Sequence, residues 1–536
     1  MEREGENAAR SRPGRQHWHL GFPRAVGPRT QPAFPAGIAS IHKPLSDRPP
    51  LHTFLVTQLL KRLSPSILGP RLLTSAFTVL LLCALFNIAC RCRGLLVAAL
   101  TVGLLVLSPG FLELSASCML EIPALSLAIA GLCVLLLVGR TQWRVGETLA
   151  GILFGAALLM KLVPAIYLAQ AALILWLLGT TGHEASRARE SPPGLGPTPQ
   201  PSPWPSKRLT PAAMVDLGFS LLVLGLASLG SFVALDLLID GGGFLRHLDQ
   251  SLAAHFGPAA TAEYGSADDY PFAWVVLFRN WDTTLPALLG IIVLARQARK
   301  APFALLPLSW LALAFGVFAT HRPWWPYYYI HTAIPLCWCA AEGIAAIAGF
   351  LREKMPGEAA VEPSGPRATP PCPLPEDKRR LPFAAGRSKR LVATALVLYA
   401  PCALAWMAAR AWLQIQGVRQ SPQTYASLVL KEVGRFKPFT EWMYTDPLIY
   451  SFHAGIPMPC QLAVVSFKRL WCGDMTNARI AAEVRACTPG LILLKNDGRE
   501  TVIGDLLAAE YRLVYQDGMN RLYAHRSIAK KPKRGI

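Results

Sequence analysis

The sequence predicts an α-helical polytopic membrane protein that carries a small α/β domain at its C-terminal end. Three observations predict it. Of 536 residues, 52% are hydrophobic and only 16% are charged, a balance that soluble domains of this length do not show. Ten apolar runs are long enough, or nearly so, to cross a hydrocarbon core about 30 Å thick. Basic residues gather in every second loop between those runs, the pattern that charge sorting across a membrane imposes.

Taken in order, residues 1–41 contain Pro, Arg and Gly and no apolar run. They read as a disordered or mis-assigned N-terminus rather than a signal peptide or helix. Residues 42–71 hold a first outer loop and an amphipathic stretch at 51–63, which is too short to span and lies in the interface. The apolar runs follow near 72–91, 95–112, 122–139, 148–163, 164–180, 213–239, 281–295, 302–320, 327–349 and 391–412. The fourth, fifth and seventh are short or contain polar residues. Together 72–412 form the transmembrane domain, interrupted by two Pro-rich, basic inserts at 181–212 and 351–389 that read as flexible linkers. A longer outer loop at 240–280 carries Gly241-Gly242-Gly243, His247, His255, Tyr264 and Asp268-Asp269-Tyr270-Pro271; long loops on helical scaffolds commonly hold substrate contacts.

After residue 412 the texture changes, and 420–536 alternate helix and strand patterns. Trp442–Asp446 reads as a strand ending in a turn, Ala478–Cys487 as an amphipathic helix and Leu491–Leu494 as a buried strand. Ile503–Tyr511 reads as a short helix. Arg512–Tyr515 and Arg521–His525 flank Asp517-Gly518, a hairpin signal.

The formal charge of +20 is a topology signal and not a nucleic-acid signal. The basic groups are Arg91 and Arg93; Arg140 and Arg144; Arg187, Arg189, Lys207 and Arg208; Arg296, Arg299 and Lys300; and Lys378 through Arg390. The intervening loops hold Glu113, Glu121, Asp240, Asp249, Glu263, Asp268 and Asp269. This alternation puts both linkers inside, and the acidic loops with the C-terminal domain outside. One conflict follows. The segment before residue 72 must be outside, yet the tail with Arg3, Arg10, Arg12, Arg15, Arg24 and Arg29 should stay inside. Either a first transmembrane helix is absent from this reading frame, or a re-entrant or interfacial segment at 51–63 brings the chain across; the shortness of that stretch favours the first. Twelve Cys are scattered without zinc-ligand spacing. Cys460, Cys472 and Cys487 face the oxidising side, which leaves one disulfide among them open.

The residues that carry chemistry sit at one membrane face. Asp47-Arg48 precedes Pro49-Pro50-Leu51, so an acid and a guanidinium are fixed beside a helix-excluding turn. A helix stop with a surface ion pair explains them equally well in isolation. Glu121 opens an apolar helix, where the helix dipole favours an acid, and a carboxylate beside lipid is a functional signal. Lys161 lies between two short helices, where a snorkelling lysine is the plain account. His321-Arg322-Pro323-Trp324-Trp325-Pro326-Tyr327-Tyr328-Tyr329 exceeds what an aromatic belt needs. It suits a sugar stacked on rings such as Trp324 and Tyr328 beside a phosphate held by His321 and Arg322. Acids for proton transfer and cations for a phosphate leaving group thus share a face, and no Walker, Rossmann or zinc-protease motif competes.

Several strings, in this order, resemble GT-C membrane glycosyltransferases of the protein O-mannosyltransferase and aminoarabinose-transferase type. They are DRPPL (47–51), RLL (71–73), LSPGFLELSASCMLEIPAL (107–125), ALLMKL (157–162) and THRPWWPYYYIHTAIPL (320–336). The tail from TDPLIYSFHAGIPMP to YRLVYQDGMNRLYAHR (445–526) resembles the extracytoplasmic domain of bacterial members. The resemblance covers nearly everything from residue 42 on. It implies a polyprenyl-phosphate sugar as donor and no established cofactor. It implies a protein, lipid or cell-envelope glycan acceptor, inversion at the anomeric carbon, and a bacterial inner-membrane location with a periplasmic C-terminal domain. It makes Asp47 and Glu121 the catalytic acids. Arg48, Lys161, His321 and Arg322 become the groups near the donor phosphate. One departure is plain: the family's principal Asp precedes the PPL-type turn, and residues 1–41 contain no Asp. Two other readings of the same pattern are a lipid-linked glycan transporter or flippase, which would favour paired helix repeats, and a non-catalytic relative that binds the lipid carrier.

Overall fold

The computed structural model describes residues 50–531 apart from 64–67, 139–142, 191–210, 247, 249–269, 353–386, 421–426, 447, 460–461, 464, 466–469, 471–474 and 496–501. The readings placed on Asp47 and Arg48, on residues 191–210 of the first linker, on nearly all of the second and on most of the 240–280 loop fall outside these residues; residues 181–190, expected as flexible linker, are helical.

All ten apolar runs are helical. After α1 (Pro50–Leu63) come α2 (Leu68–Arg93), α3 (Leu95–Val106), α4 (Glu121–Leu137), α5 (Trp143–Met160), α6 (Tyr167–Glu190), α7 (Pro211–Asp240), α8 (Trp281–Gln297), α9 (Leu305–Phe318), α10 (Tyr329–Arg352) and α11 (Arg387–Gln420). Short 3-10 turns at Val163–Ile166 and Pro326–Tyr328 lead into α6 and α10. Among the described residues, five segments are long and apolar enough to cross a membrane: Leu68–Arg93, Val163–Thr180, Ala213–Asp240, Pro326–Arg352 and Thr394–Arg419. Leu95–Val106, Glu121–Leu137 and Pro302–Phe318 are apolar but shorter. The chain is a multi-pass membrane protein. The run expected at 95–112 stops early because Ser108-Pro109-Gly110 breaks it, with Gly110 at φ 71°, a backbone region that disfavours side chains.

The helices pack as pairs, α5 on α7 and α8 on α10, with α4 against both α2 and α5. In lipid such pairs depend on close backbone approach at small residues. A Cβ on Gly155 would run into Ser231 Oγ and the Ser228 carbonyl of α7, and one on Gly343 would strike the Pro286 carbonyl of α8. Pro286 itself lacks an N–H and so frees the carbonyl four residues earlier. Tyr399 of α11 donates its hydroxyl to that Asp282 carbonyl at 2.6 Å, which removes the cost of an unpaired backbone group in lipid.

Two buried ionic clamps tie helices that are distant in sequence. Arg410 of α11 grips Asp282 with both guanidinium nitrogens, at 2.7 and 3.0 Å, and also reaches Asn280 Oδ1 at 2.9 Å and the Leu107 carbonyl at 3.2 Å. Arg93 of α2 donates to Glu342 of α10, at 2.8 Å for Nη2 to Oε2, and also to Gln297 of α8. Glu342 lies fourteen residues along the chain from Tyr328, or about 20 Å along a helix axis. The Arg93 clamp therefore closes the end of the bundle opposite Tyr328.

The chain divides into two compact units, one holding Phe34–Trp412 with Val464–Ile480, the other drawn from Leu413–Ala463 and Ala481–Ile536. The second is built on a four-stranded sheet in the order β1-β2-β4-β3, with β1 Met443–Thr445, β2 Leu491–Lys495, β3 Tyr511–Gln516 and β4 Asn520–His525. β1 and β2 run parallel, while β2/β4 and β3/β4 are antiparallel. Strand Leu491–Leu494 is fully buried, which accounts for its unbroken apolar run. The Asp-Gly hairpin forms as its sequence requires: Asp517 Oδ1 accepts the backbone N–H of Met519 at 2.8 Å and of Asn520 at 2.7 Å. The Asn477–Cys487 and Gly504–Glu510 helices stand where the pattern placed them.

Candidate functional site

Glu121 is the first residue of α4 and only 3% exposed. Pro123 follows within the first helical turn, where its missing N–H costs nothing, so the chain turns into the helix at the acid. Lys161 directly follows the last residue of α5, just before the Val163–Ile166 turn. Its ammonium forms an ion pair with the Glu121 carboxylate. Its other faces are covered by aromatic rings, with Nζ 4.9 Å from the centroid of Tyr327 and 4.8 Å from that of Tyr328. Cation–π attraction and the ion pair together hold a desolvated ammonium in a fixed place. This is more than snorkelling: the lysine is folded back onto a partner.

The Tyr328 ring is buried and packs against Phe318, Tyr327 and His321, with centroids 5.4, 4.8 and 5.4 Å away. The fold therefore brings Glu121, Lys161, Tyr328 and His321 into one contiguous cluster. Arg322 is exposed. Trp324 is 5% exposed and lies edge-on to Phe272 at 5.2 Å, with its backbone N–H on the Tyr270 carbonyl at 2.8 Å. It belongs to an aromatic wall with Phe272, Trp274 and Phe315.

Two histidines of this region escaped the sequence reading. His52, in the first turn of α1, is 7% exposed, and its Nε2 has no hydrogen-bond partner among the described residues. Burial holds its pKa below the ordinary histidine value, while the nearby Glu121 charge pulls the other way. Its neighbour Leu51 and the Lys161 neighbours Leu158 and Leu162 pack on the same apolar group of Leu159, Phe232 and Phe244. His331 of α10 is buried and shares a 2.8 Å hydrogen bond with the hydroxyl of Tyr167. His52 had a visible signal, a histidine inside an otherwise apolar helical turn next to Pro49-Pro50. His331 had none beyond lying in a helix.

The arrangement offers a carboxylate, a cation matched to an anionic group and a ring-lined wall, all within a helical membrane bundle. Among the described residues there is no group of three or more His, Cys, Asp or Glu placed to hold a metal ion.

Residues 47–194, which include both Glu121 and Lys161, match the family model for dolichyl-phosphate-mannose-protein mannosyltransferase. The fold matches ArnT from Cupriavidus metallidurans in its apo state, with TM-score 0.53 and 14% identity, covering 91% of this chain and 89% of that one. It also matches ArnT from the same organism bound to undecaprenyl phosphate, with TM-score 0.51 and 15% identity, covering 91% and 90%. No curated protein matches the chain by sequence. By fold, the chain shares the architecture of the two ArnT structures, and its residues 47–194 carry the match to the mannosyltransferase family model.

Proposed function

We propose that the protein transfers a sugar from a polyprenyl-phosphate donor to a hydroxyl or phosphate acceptor on a protein, lipid or cell-envelope glycan, with inversion at the anomeric carbon. The observation that carries this reading is the buried Glu121–Lys161 pair capped by Tyr327 and Tyr328. A fixed ammonium stabilises the charge that develops on a departing lipid phosphate. A carboxylate beside it draws the acceptor's proton. The acceptor oxygen bonds to the anomeric carbon, the carbon–oxygen bond to phosphate breaks, and the electron pair leaves on the phosphate. Glu121, with Asp47 on the segment entering α1, supplies the acid–base carboxylates. Arg48, His321 and Arg322 add positive charge or hydrogen bonds near the phosphate, and Trp324 and Tyr328 line the sugar side.

The family match over residues 47–194 supports this reading. So does the likeness of fold to an ArnT crystallised with undecaprenyl phosphate.

Alternating basic loops support an inner-membrane placement, with this site and the domain at 420–536 on the outer, periplasmic side. The parsing into a 42–71 entry segment, a 72–412 transferase domain and a 420–536 domain follows from the same reading. Labelled undecaprenyl phosphate binding to the purified full chain tests the donor assignment. Binding weakened at least about tenfold by Lys161→Ala is expected from loss of one charge-assisted contact. Equal binding by wild type and variant would remove Lys161 from the donor site. Accessibility of single cysteines placed in 353–386 tests the orientation; labelling from the outside would overturn it.

A further inference from the structure

We propose that Tyr167 and His331 form a positioning latch that sets where Lys161 meets its tyrosine box; this rests on the donor-site reading above. Lys161 is six residues before Tyr167, separated from it by the Val163–Ile166 turn. Tyr327 and Tyr328, whose faces cover the ammonium, precede His331 by four and three residues across the start of α10. The 2.8 Å hydrogen bond between the Tyr167 hydroxyl and His331 Nδ1 therefore joins the chain segment that carries the cation to the one that carries the rings.

The pair is built into the core. Both residues are buried, at 0% and 1% exposure. Tyr167 stands edge-on to Trp310 at 5.4 Å. His331 stacks on Phe318 at 4.8 Å and 17°, and Phe318 packs in turn on Tyr328 at 5.4 Å. His331 Nε2 has no hydrogen-bond partner among the described residues, so the Tyr167 hydrogen bond at Nδ1 fixes the ring. Among the described residues no hydrogen bond or ion pair joins either residue to Glu121 or Lys161. Their effect reaches Lys161 through Phe318 and Tyr328 on one side and through six residues of backbone on the other. A helix pair joined only by apolar packing has several near-equivalent registers, whereas one directional hydrogen bond selects one of them. Displacements of about 1 Å at a bound anion are costly in an electrostatic site.

The test is a binding cycle with undecaprenyl phosphate as the probe on the full-length, detergent-solubilised protein. Tyr167→Phe removes one oxygen and keeps the ring, and His331→Leu removes the nitrogen. Each is expected to weaken binding by up to about tenfold, because it displaces the Lys161 ammonium, whose own contact with the phosphate is charge-assisted. His331→Asn keeps a polar atom at the Nδ1 position and is expected to stay within about threefold of wild type. In a Lys161→Ala background, Tyr167→Phe should add nothing, because the latch acts through the lysine. Full additivity of the two losses would assign Tyr167 to general packing and overturn the latch. Unchanged binding in Tyr167→Phe, with Lys161→Ala still weakened, would overturn the latch alone. Unchanged binding in Lys161→Ala would overturn the latch and the donor-site reading together.

Discussion

Lys161 and Glu121 stand forty residues apart in sequence and form a buried ion pair across the ends of two helices, with side chains 15% and 4% exposed. Neither charge is tolerable there alone. Lys161→Ala should cost about 3–5 kcal/mol, because it strands a buried carboxylate, whereas Lys161→Met combined with Glu121→Gln should cost far less. Thermal unfolding of the solubilised protein checks both. Equal losses for the single and double variants would show that the pair is not electrostatically coupled.

The buried His52 gives the protein an acid-sensitive stability. Its folded pKa lies below the unfolded value, through burial, with Glu121 opposing. The unfolded chain therefore takes up a proton first as pH falls. The contribution of His52 is fully present above about pH 6.5 and is lost as pH falls through that value toward the lower folded one. His52→Gln should remove this component. Melting temperatures from about pH 8 to pH 5 should fall more steeply for wild type than for the variant; parallel curves would contradict the assignment.

The α5–α7 crossing depends on backbone proximity at Gly155. A side chain there meets Ser231 Oγ and the Ser228 carbonyl, while one at Gly225 of α7 meets nothing within 4 Å. Gly155→Leu should destabilise by about 3 kcal/mol through forced separation of the helices. Gly225→Leu should stay within about 1 kcal/mol. Comparable losses at both positions would mean that the helices do not cross as described.

Asp517 organises the last hairpin. Burial alone would raise its pKa, but the backbone N–H groups of Met519 and Asn520, with the Asn520 amide and the Tyr515 hydroxyl, outweigh it and hold the carboxyl below the ordinary aspartate range. With a depressed folded pKa, its contribution is present above the unfolded value and disappears as pH falls through the folded one. Asp517→Ala should raise amide exchange across Tyr511–His525 by about five- to tenfold at neutral pH, about 1 kcal/mol of local opening. Unchanged protection would show that the turn forms without it.

Much of this architecture was legible in the residues, because lipid leaves few options. Apolar length marked ten helices. The hairpin was legible because Asp-Gly meets a specific backbone demand. Glu121 and Lys161 were each visible as charges in apolar surroundings, but their pairing was not, since nothing in sequence spacing brings residue 121 to residue 161. The clamps from Arg93 to Glu342 and from Arg410 to Asp282 were hidden for the same reason. Arg93 read as one more loop charge, and Glu342 lies unremarked inside the 327–349 apolar run. Trp324 carried an aromatic signal that sequence cannot resolve into wall or platform, and the fold places it in a buried wall with Phe272.

The central claim is that the Glu121–Lys161 pair operates on a lipid-phosphate sugar. The most direct measurement is the consumption of radiolabelled mannosyl- and aminoarabinosyl-phosphoundecaprenol by membranes carrying the full chain, beside membranes carrying Glu121→Gln at matched expression. The account predicts time-dependent release of undecaprenyl phosphate from at least one donor by the wild type, reduced about 10²–10⁴-fold in Glu121→Gln. Consumption at the same rate in both membranes, or in neither, would contradict it.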